Sequence, residues 1–180
     1  LDMQLQDIVE SAIAKRFAED TYSELEWGTA VLMETKTGKI RAMANKTRDN
    51  AGRLIERDNY ALRARSTPGS TFKAFTYMIF FEDGVITLND IFDLSAGKEN
   101  VMGVKEYKDV SKLGVVNTHQ MFASSSNIGP VRIIKAHYMP GGNARAQEFM
   151  DRIHQMKISE LCDFQIQRAL PPLIIDPGSR

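Results

Sequence analysis

The 180-residue chain holds a single cysteine, Cys162, so an internal disulfide and a cysteine zinc cluster are both excluded. Cys162 reads as a small packed hydrophobe. No apolar run approaches the roughly 18 residues that span a bilayer, and the most apolar stretch, residues 77–81, is far shorter. Neither sign of charge is in surplus. The 23 Lys+Arg against 23 Asp+Glu weigh against a nucleic-acid partner, which usually meets a basic excess or stripe. Arg48, Arg53, Arg57, Arg63 and Arg65 do cluster, but Asp49, Glu56 and Asp58 interrupt them, so the stretch reads as a solvated loop face. His119, His137 and His154 show no ligand spacing, which argues against a metal site. No signal peptide is visible and the chain opens on Leu1, so a piece of a longer protein is expected. What remains is a globular composition, 43% hydrophobic and 26% charged, sufficient for one good core.

Apolar periodicity supplies the elements. Leu5, Ile8, Val9, Ala12, Ile13 and Phe17 share one face of a helix over residues 3–19. A strand is expected over 27–33, a turn at Thr35-Lys36-Thr37-Gly38 and a returning strand over 39–44, forming a hairpin. The next two dozen residues read as loop. Behind Thr67-Pro68-Gly69-Ser70, the residues Phe72, Phe75, Tyr77, Met78, Ile79 and Phe80 fit a mostly buried helix ending near Gly84. Turns and a small hairpin are expected over 85–117. Thr118 is positioned to cap a helix running to about Ser124, another helix covers 128–138, and an amphipathic one covers 144–156 after Pro140-Gly141-Gly142. The tail 165–180 has three prolines and no period. Because two strands do not make a stable sheet, the remaining strands are expected beyond Arg180.

Ser70-Thr71-Phe72-Lys73 sets a hydroxyl and an amine three residues apart, on one face if Ser70 opens a helix. Serine becomes a nucleophile when a base takes its proton, and lysine serves as that base when burial or a nearby cation lowers its pKa. The helix N-terminus would favour negative charge developing on Ser70 or on a substrate oxygen. Alone the spacing is weak, since 11 Ser and 11 Lys give about 0.7 such pairs by chance. A second copy, Ser95-Ala96-Gly97-Lys98, lacks a helix start. The plain alternatives are an N-cap for Ser70 and a solvated helix residue for Lys73. Ser125-Ser126-Asn127 lies between two helices, where a short loop could aim a proton-relaying hydroxyl and a peptide-binding amide into a cleft. The plain alternative there is a polar turn.

Taken in order, Pro68-Gly69-Ser70-Thr71-Phe72-Lys73 and then Ser124-Ser125-Ser126-Asn127-Ile128-Gly129 resemble the transpeptidase domain of penicillin-binding proteins, whose Ser-x-x-Lys motif carries the nucleophile. Residues 1–6, the hairpin 30–44, Glu82-Asp83-Gly84-Val85-Ile86-Thr87 and Lys108-Asp109 are also similar to that family, in its class B, division- or elongation-type branch. The likeness runs from residue 1 to about 160. Two features depart from the pattern. The family's third motif, Lys-Thr/Ser-Gly, follows Ser-x-Asn, whereas here Lys36-Thr37-Gly38 precedes Ser70 and no copy follows Asn127. The tail from Ala169 to Arg180 has no clear counterpart.

The resemblance implies an α/β (α+β) fold of the β-lactamase/transpeptidase type: an antiparallel sheet with packed helices plus a helical subdomain. Residues 1–180 would be the N-terminal part of one such domain, incomplete at its C-terminus. Its hairpin would cover about 27–45, its nucleophile helix about 70–83 and its helical subdomain about 85–160. The implied activity is peptidoglycan D,D-transpeptidation through a serine acyl-enzyme that β-lactams also form. Ser70 would be the nucleophile, Lys73 its base, Ser125 a proton relay and Asn127 the binder of the donor peptide. Neither cofactor nor metal is implied. The partners would be peptidoglycan stem peptides, β-lactam antibiotics and cell-wall synthesis proteins, with no nucleic acid. Any membrane attachment would use a segment outside these residues. The setting would be the cell envelope, on the extracytoplasmic face of the inner membrane. A β-lactam-hydrolysing or β-lactam-sensing protein and a non-catalytic binding half-domain are the competing readings. Because the third motif is missing, the 180 residues alone are expected to be almost inactive.

Overall fold

Asp2 sets the start of the first helix, α1 (Met3–Ala18), in the computed structural model: its carboxylate accepts from the Gln4 and Leu5 backbone N–H groups at 3.0 and 3.1 Å. The structure describes residues 1–20, 25–101, 105–161 and 169–176. Cys162 lies outside them. The chain divides into two units, one of residues 1–66 with 161–171 and one of residues 67–160 with 172–180.

In the first unit, β1 (Trp27–Met33) and β2 (Ile40–Arg48) form the expected antiparallel hairpin, in register from Trp27 opposite Thr47 to Leu32 opposite Ala42. The turn contains Gly38 at φ +69°, where a residue without Cβ is unstrained. β2 runs four residues beyond the expected Ala44, although their polarity signals loop, because pairing with β1 holds Asn45 to Thr47 extended and Arg48 pairs with Leu54. A two-residue strand, β3 (Leu54–Ile55), pairs next to β2. The short helix α2 (Tyr60–Arg63) then stacks Tyr60 on Trp27, with ring centroids 5.0 Å apart. Helix α1 is tied to β2 by Gln6, whose side-chain amide donates to the Met43 carbonyl at 2.9 Å and accepts from the Met43 N–H at 3.0 Å. Arg48 is not a solvated loop residue as expected. It sits in β2, donates to the Phe17 carbonyl at 2.9 Å and lies over the Phe17 ring. Among the described residues β1 has β2 as its single strand neighbour, and Val31 and Met33 are exposed.

The second unit opens with a 3-10 turn over Gly69–Phe72 that runs straight into α3 (Lys73–Glu82). Helix α3 ends at Gly84, φ +65°, as the sequence implies. Residues 85–117 hold more strand than one hairpin. β5 (Lys98–Val101) and β6 (Lys105–Lys108) pair as a hairpin, while β4 (Ile91–Asp93) pairs with the distant β7 (Val115–Asn117). Three helices follow: α4 (Thr118–Ala123), α5 (Ile128–His137) and α6 (Gly142–Gln155). The cap of α4 is Asn117, not Thr118. Its side chain accepts from the Gln120 N–H while the Gln120 side chain accepts from the Asn117 N–H, a capping box. Thr118 is instead fully buried.

The core of this unit is built on α3, whose Ile79 and Phe80 are fully buried beside Met121, Ile128 and Ile133. Phe80 stacks on Tyr138, and the Tyr138 hydroxyl donates to Asp83 at 2.8 Å. Helices α4 and α5 approach so closely that a Cβ on Gly129 would lie 2.1 Å from the Met121 sulfur. The loop between them, residues 124–127, meets the start of α3 through Lys73, which donates to Ser125 and Asn127. No helix of the described residues is long and apolar enough to cross a membrane.

Candidate active site

Ser70 occupies the second position of the 3-10 turn and Lys73 the first position of α3. In 3-10 geometry residues i and i+3 eclipse, so both side chains leave on the same side. Ser70 does not act as an N-cap. Pro68 occupies that position, and Thr71 makes the local side-chain bond, its hydroxyl donating to the Pro68 carbonyl at 2.5 Å. The Ser70 hydroxyl is exposed and opens on a cleft of about 110 Å³, lined also by Asp109, Ser111, Ser124, Ser125 and Asn127.

The Lys73 amine departs from the expected contact with Ser70. It donates to the Ser125 carbonyl at 2.6 Å, to Asn127 Oδ1 at 2.7 Å and to Ser125 Oγ at 3.2 Å. Lys73, Ser125 and Asn127 thus form one hydrogen-bonded cluster, and Ser70 faces the same cleft without a bond to it. Burial lowers the Lys73 pKa below its ordinary value, and the negative charge of Asp109 partly opposes that shift. Tyr77, one helical turn further along α3, is buried with an unpartnered hydroxyl, and burial raises its pKa so that it stays a neutral phenol.

The loop carrying Ser125 is strained in a specific way. The N–H of Ser126 donates to the Met121 carbonyl at 3.1 Å and that of Ser125 to the Phe122 carbonyl at 2.9 Å, the pattern of a Schellman motif closing α4. The left-handed position of that motif, usually glycine, is Ser125 at φ +53°. This conformation turns the Ser125 carbonyl towards Lys73. Asp109 fixes the other side of the loop. Its Oδ2 accepts from the Ser126 hydroxyl at 2.8 Å, and its Oδ1 accepts from the Asn127 and Ile128 N–H groups at 2.5 and 3.0 Å.

A family model described as the penicillin binding protein transpeptidase domain matches residues 28–167, which is most of the chain. The chain belongs to that family. Among curated relatives, it is 28% identical over 141 residues to the peptidoglycan D,D-transpeptidase FtsI of Escherichia coli, a match covering 76% of this chain and 23% of that protein. The chain therefore spans about a quarter of the length of this relative. Among solved structures, it superposes on the transpeptidase domain of Burkholderia pseudomallei penicillin-binding protein 3 with a TM-score of 0.70 at 20% identity, over 94% of this chain and 45% of that one. Penicillin-binding protein 2B of Streptococcus pneumoniae gives 0.71 at 19% identity, over 88% and 28%. These likenesses bear out the transpeptidase fold, a mixed architecture of small antiparallel sheets and helices.

The Ser-x-x-Lys and Ser-x-Asn segments both fall in the second unit, whereas Lys36-Thr37-Gly38 lies in the first, in the turn between β1 and β2. The second Ser-x-x-Lys copy, Ser95 to Lys98, is a turn with Gly97 at φ +65°, and Lys98 begins β5. Asp109 is the site residue whose part the sequence left unread, because a single aspartate after a polar strand carries no local pattern. Among the described residues no group of three or more His, Cys, Asp or Glu is arranged to hold a metal ion.

Proposed function

We propose that the chain carries the nucleophile half of a peptidoglycan D,D-transpeptidase site, with Ser70 as nucleophile, Lys73 as its base, Ser125 as proton relay and Asn127 as donor-peptide binder. The observation carrying this reading is the partly desolvated Lys73 amine held by Ser125 and Asn127 at the edge of the cleft that exposes Ser70. As an ammonium, Lys73 has three N–H donors and three acceptors in reach. As a neutral amine it keeps two donors, and the longest contact, to Ser125 Oγ, is the one to reverse: Ser125 then donates to the amine lone pair or yields it to Ser70.

In the reaction, Ser70 Oγ attacks the penultimate D-Ala carbonyl carbon of a stem peptide while its proton passes to Lys73. The tetrahedral oxyanion forms near the Ser70 N–H, which has no intrahelical acceptor at the start of its turn, and near the positive end of α3. The C–N bond then breaks, and the departing D-Ala nitrogen takes the proton from Lys73 through Ser125. An amine of a second stem attacks the Ser70 ester, its proton returns by the same route, and Ser70 leaves with its hydroxyl restored. A β-lactam enters by the first step alone, its ring amide opening onto Ser70. No cofactor or metal takes part. Peptidoglycan stems and β-lactams are the partners, beside other cell-wall synthesis proteins, and the setting is the extracytoplasmic side of the cell envelope.

We further infer that the 180 residues alone acylate slowly, because no Lys-Thr/Ser-Gly follows Asn127 to supply the family's third motif. The reading is tested by D-Ala release from a synthetic pentapeptide stem, with an amine acceptor present, by the full-length protein. Release coupled to cross-linked product, lost in Ser70→Ala, is expected. Release undiminished in Ser70→Ala overturns it.

A further inference from the structure

Two asparagines occupy the same position in consecutive helices and do different work. Asn117 stands at the N-cap of α4 and spends its side-chain oxygen on its own helix, accepting from the Gln120 N–H at 2.8 Å. Asn127 stands at the N-cap of α5 and makes no side-chain cap bond. Its oxygen accepts from Lys73 and its amide nitrogen donates to the Lys108 carbonyl at 2.8 Å. The Asn127 and Ile128 N–H groups are taken by a carboxylate 18 residues upstream, Asp109 Oδ1, while Pro130, at the position where Gln120 meets Asn117, has no N–H to offer. Its second oxygen holds Ser126, a residue 2% exposed whose hydroxyl in turn accepts from the Gly129 N–H at 3.0 Å.

We propose that Asp109 is a positioning residue of the site, a remote cap for α5 that fixes residues 126–128 so that the Asn127 side chain meets Lys73 and the substrate. This rests on the function proposed above. An uncapped helix start has unsatisfied N–H groups, and here one carboxylate satisfies two of them. Without Asp109 the Asn127 and Ile128 N–H groups and the Ser126 hydroxyl lose their acceptor, and the backbone that aims Asn127 at Lys73 is released. The carboxylate also adds charge. It faces Lys73 from the end of β6, Tyr77 shares the α3 face, and the loop between α4 and α5 presents the uncharged Ser125 and Asn127 to the amine.

The experiment compares penicillin acylation rates against pH for the wild-type full-length protein, Asp109→Ala and Asp109→Asn. Asp109→Ala is expected to lose at least about tenfold in the plateau rate. Asp109→Asn keeps an oxygen for the two N–H groups and is expected to restore the plateau to within a few-fold. Its rising limb should sit at lower pH, because the charge that raises the Lys73 pKa is gone. An Asp109→Ala rate equal to wild type overturns the inference, as does an Asp109→Asn protein that loses as much rate as the alanine variant with its pH limb unmoved. If Asp109→Ala does not fold, the asparagine variant decides by the same limb. An unfolded Asp109→Asn also contradicts the inference, since a neutral cap should suffice. Wild-type protein that penicillin does not acylate at Ser70 refutes instead the function on which the inference rests.

Discussion

Lys73 Nζ lies 2.7 Å from Asn127 Oδ1, across 54 residues of chain, and this contact joins the start of α3 to the start of α5. With the two bonds from the same amine to Ser125, it turns two separate sequence motifs into one cluster. The amine is partly withdrawn from water there and its charge is correspondingly disfavoured.

Replacing Lys73 by arginine keeps the positive charge and removes the proposed base, because guanidinium does not deprotonate in this range. Acylation by penicillin should fall by about 100-fold or more, the usual scale of a lost general base. A merely electrostatic part for Lys73 would leave Lys73→Arg substantially active. Stopped-flow acylation rates of the two full-length proteins distinguish these.

The pH dependence follows from the same residue. With Lys73 as the proposed base, the reactive form is the neutral amine, so acylation should rise with pH through the Lys73 pKa. Burial lowers that pKa, so the midpoint should fall below the value of about 10.4 for a free lysine. A rising limb centred at or above that value would show an amine in ordinary water contact.

Ser125 at φ +53° carries a backbone cost that glycine would not. Ser125→Gly should therefore stabilise the fold by up to about 1 kcal/mol while slowing turnover through loss of the hydroxyl. Chemical denaturation and acylation rates measured on one preparation check both. A variant that is slower and also less stable would mean that the hydroxyl, not the turn, matters to the fold.

Gly129→Ala sets a methyl group against the Met121 sulfur. Overpacking of this kind costs about 1 to 3 kcal/mol. The expected outcome is a lowered denaturation midpoint. A midpoint equal to wild type would mean that α4 and α5 separate freely, and the loop holding Ser125 would then lack its support.

Much of this arrangement is legible in the amino-acid order. Strand β1, the Gly38 turn and the end of α3 at Gly84 follow from alternation, turn chemistry and helix punctuation, each a local signal. Two features escape local reading because their partners lie elsewhere in the chain. The polar residues Asn45 to Thr47 are strand because β1 pairs with them, and Arg48 because it pairs with Leu54. Asp109 is invisible as a cap because it serves a helix 18 residues ahead. The Ser-x-x-Lys spacing correctly brings two side chains to one side of the chain. The amine then takes its partners from the loop between α4 and α5, which spacing within one segment cannot disclose.

The central claim is that Ser70 is the acylated residue of a penicillin-reactive site. Exposure of the full-length protein to a penicillin, followed by intact-mass measurement and peptide mapping, tests it most directly. One adduct, on the peptide containing Ser70 and absent from Ser70→Ala, is the predicted result. An adduct on Ser95 or Ser125, or one that survives Ser70→Ala, would contradict it.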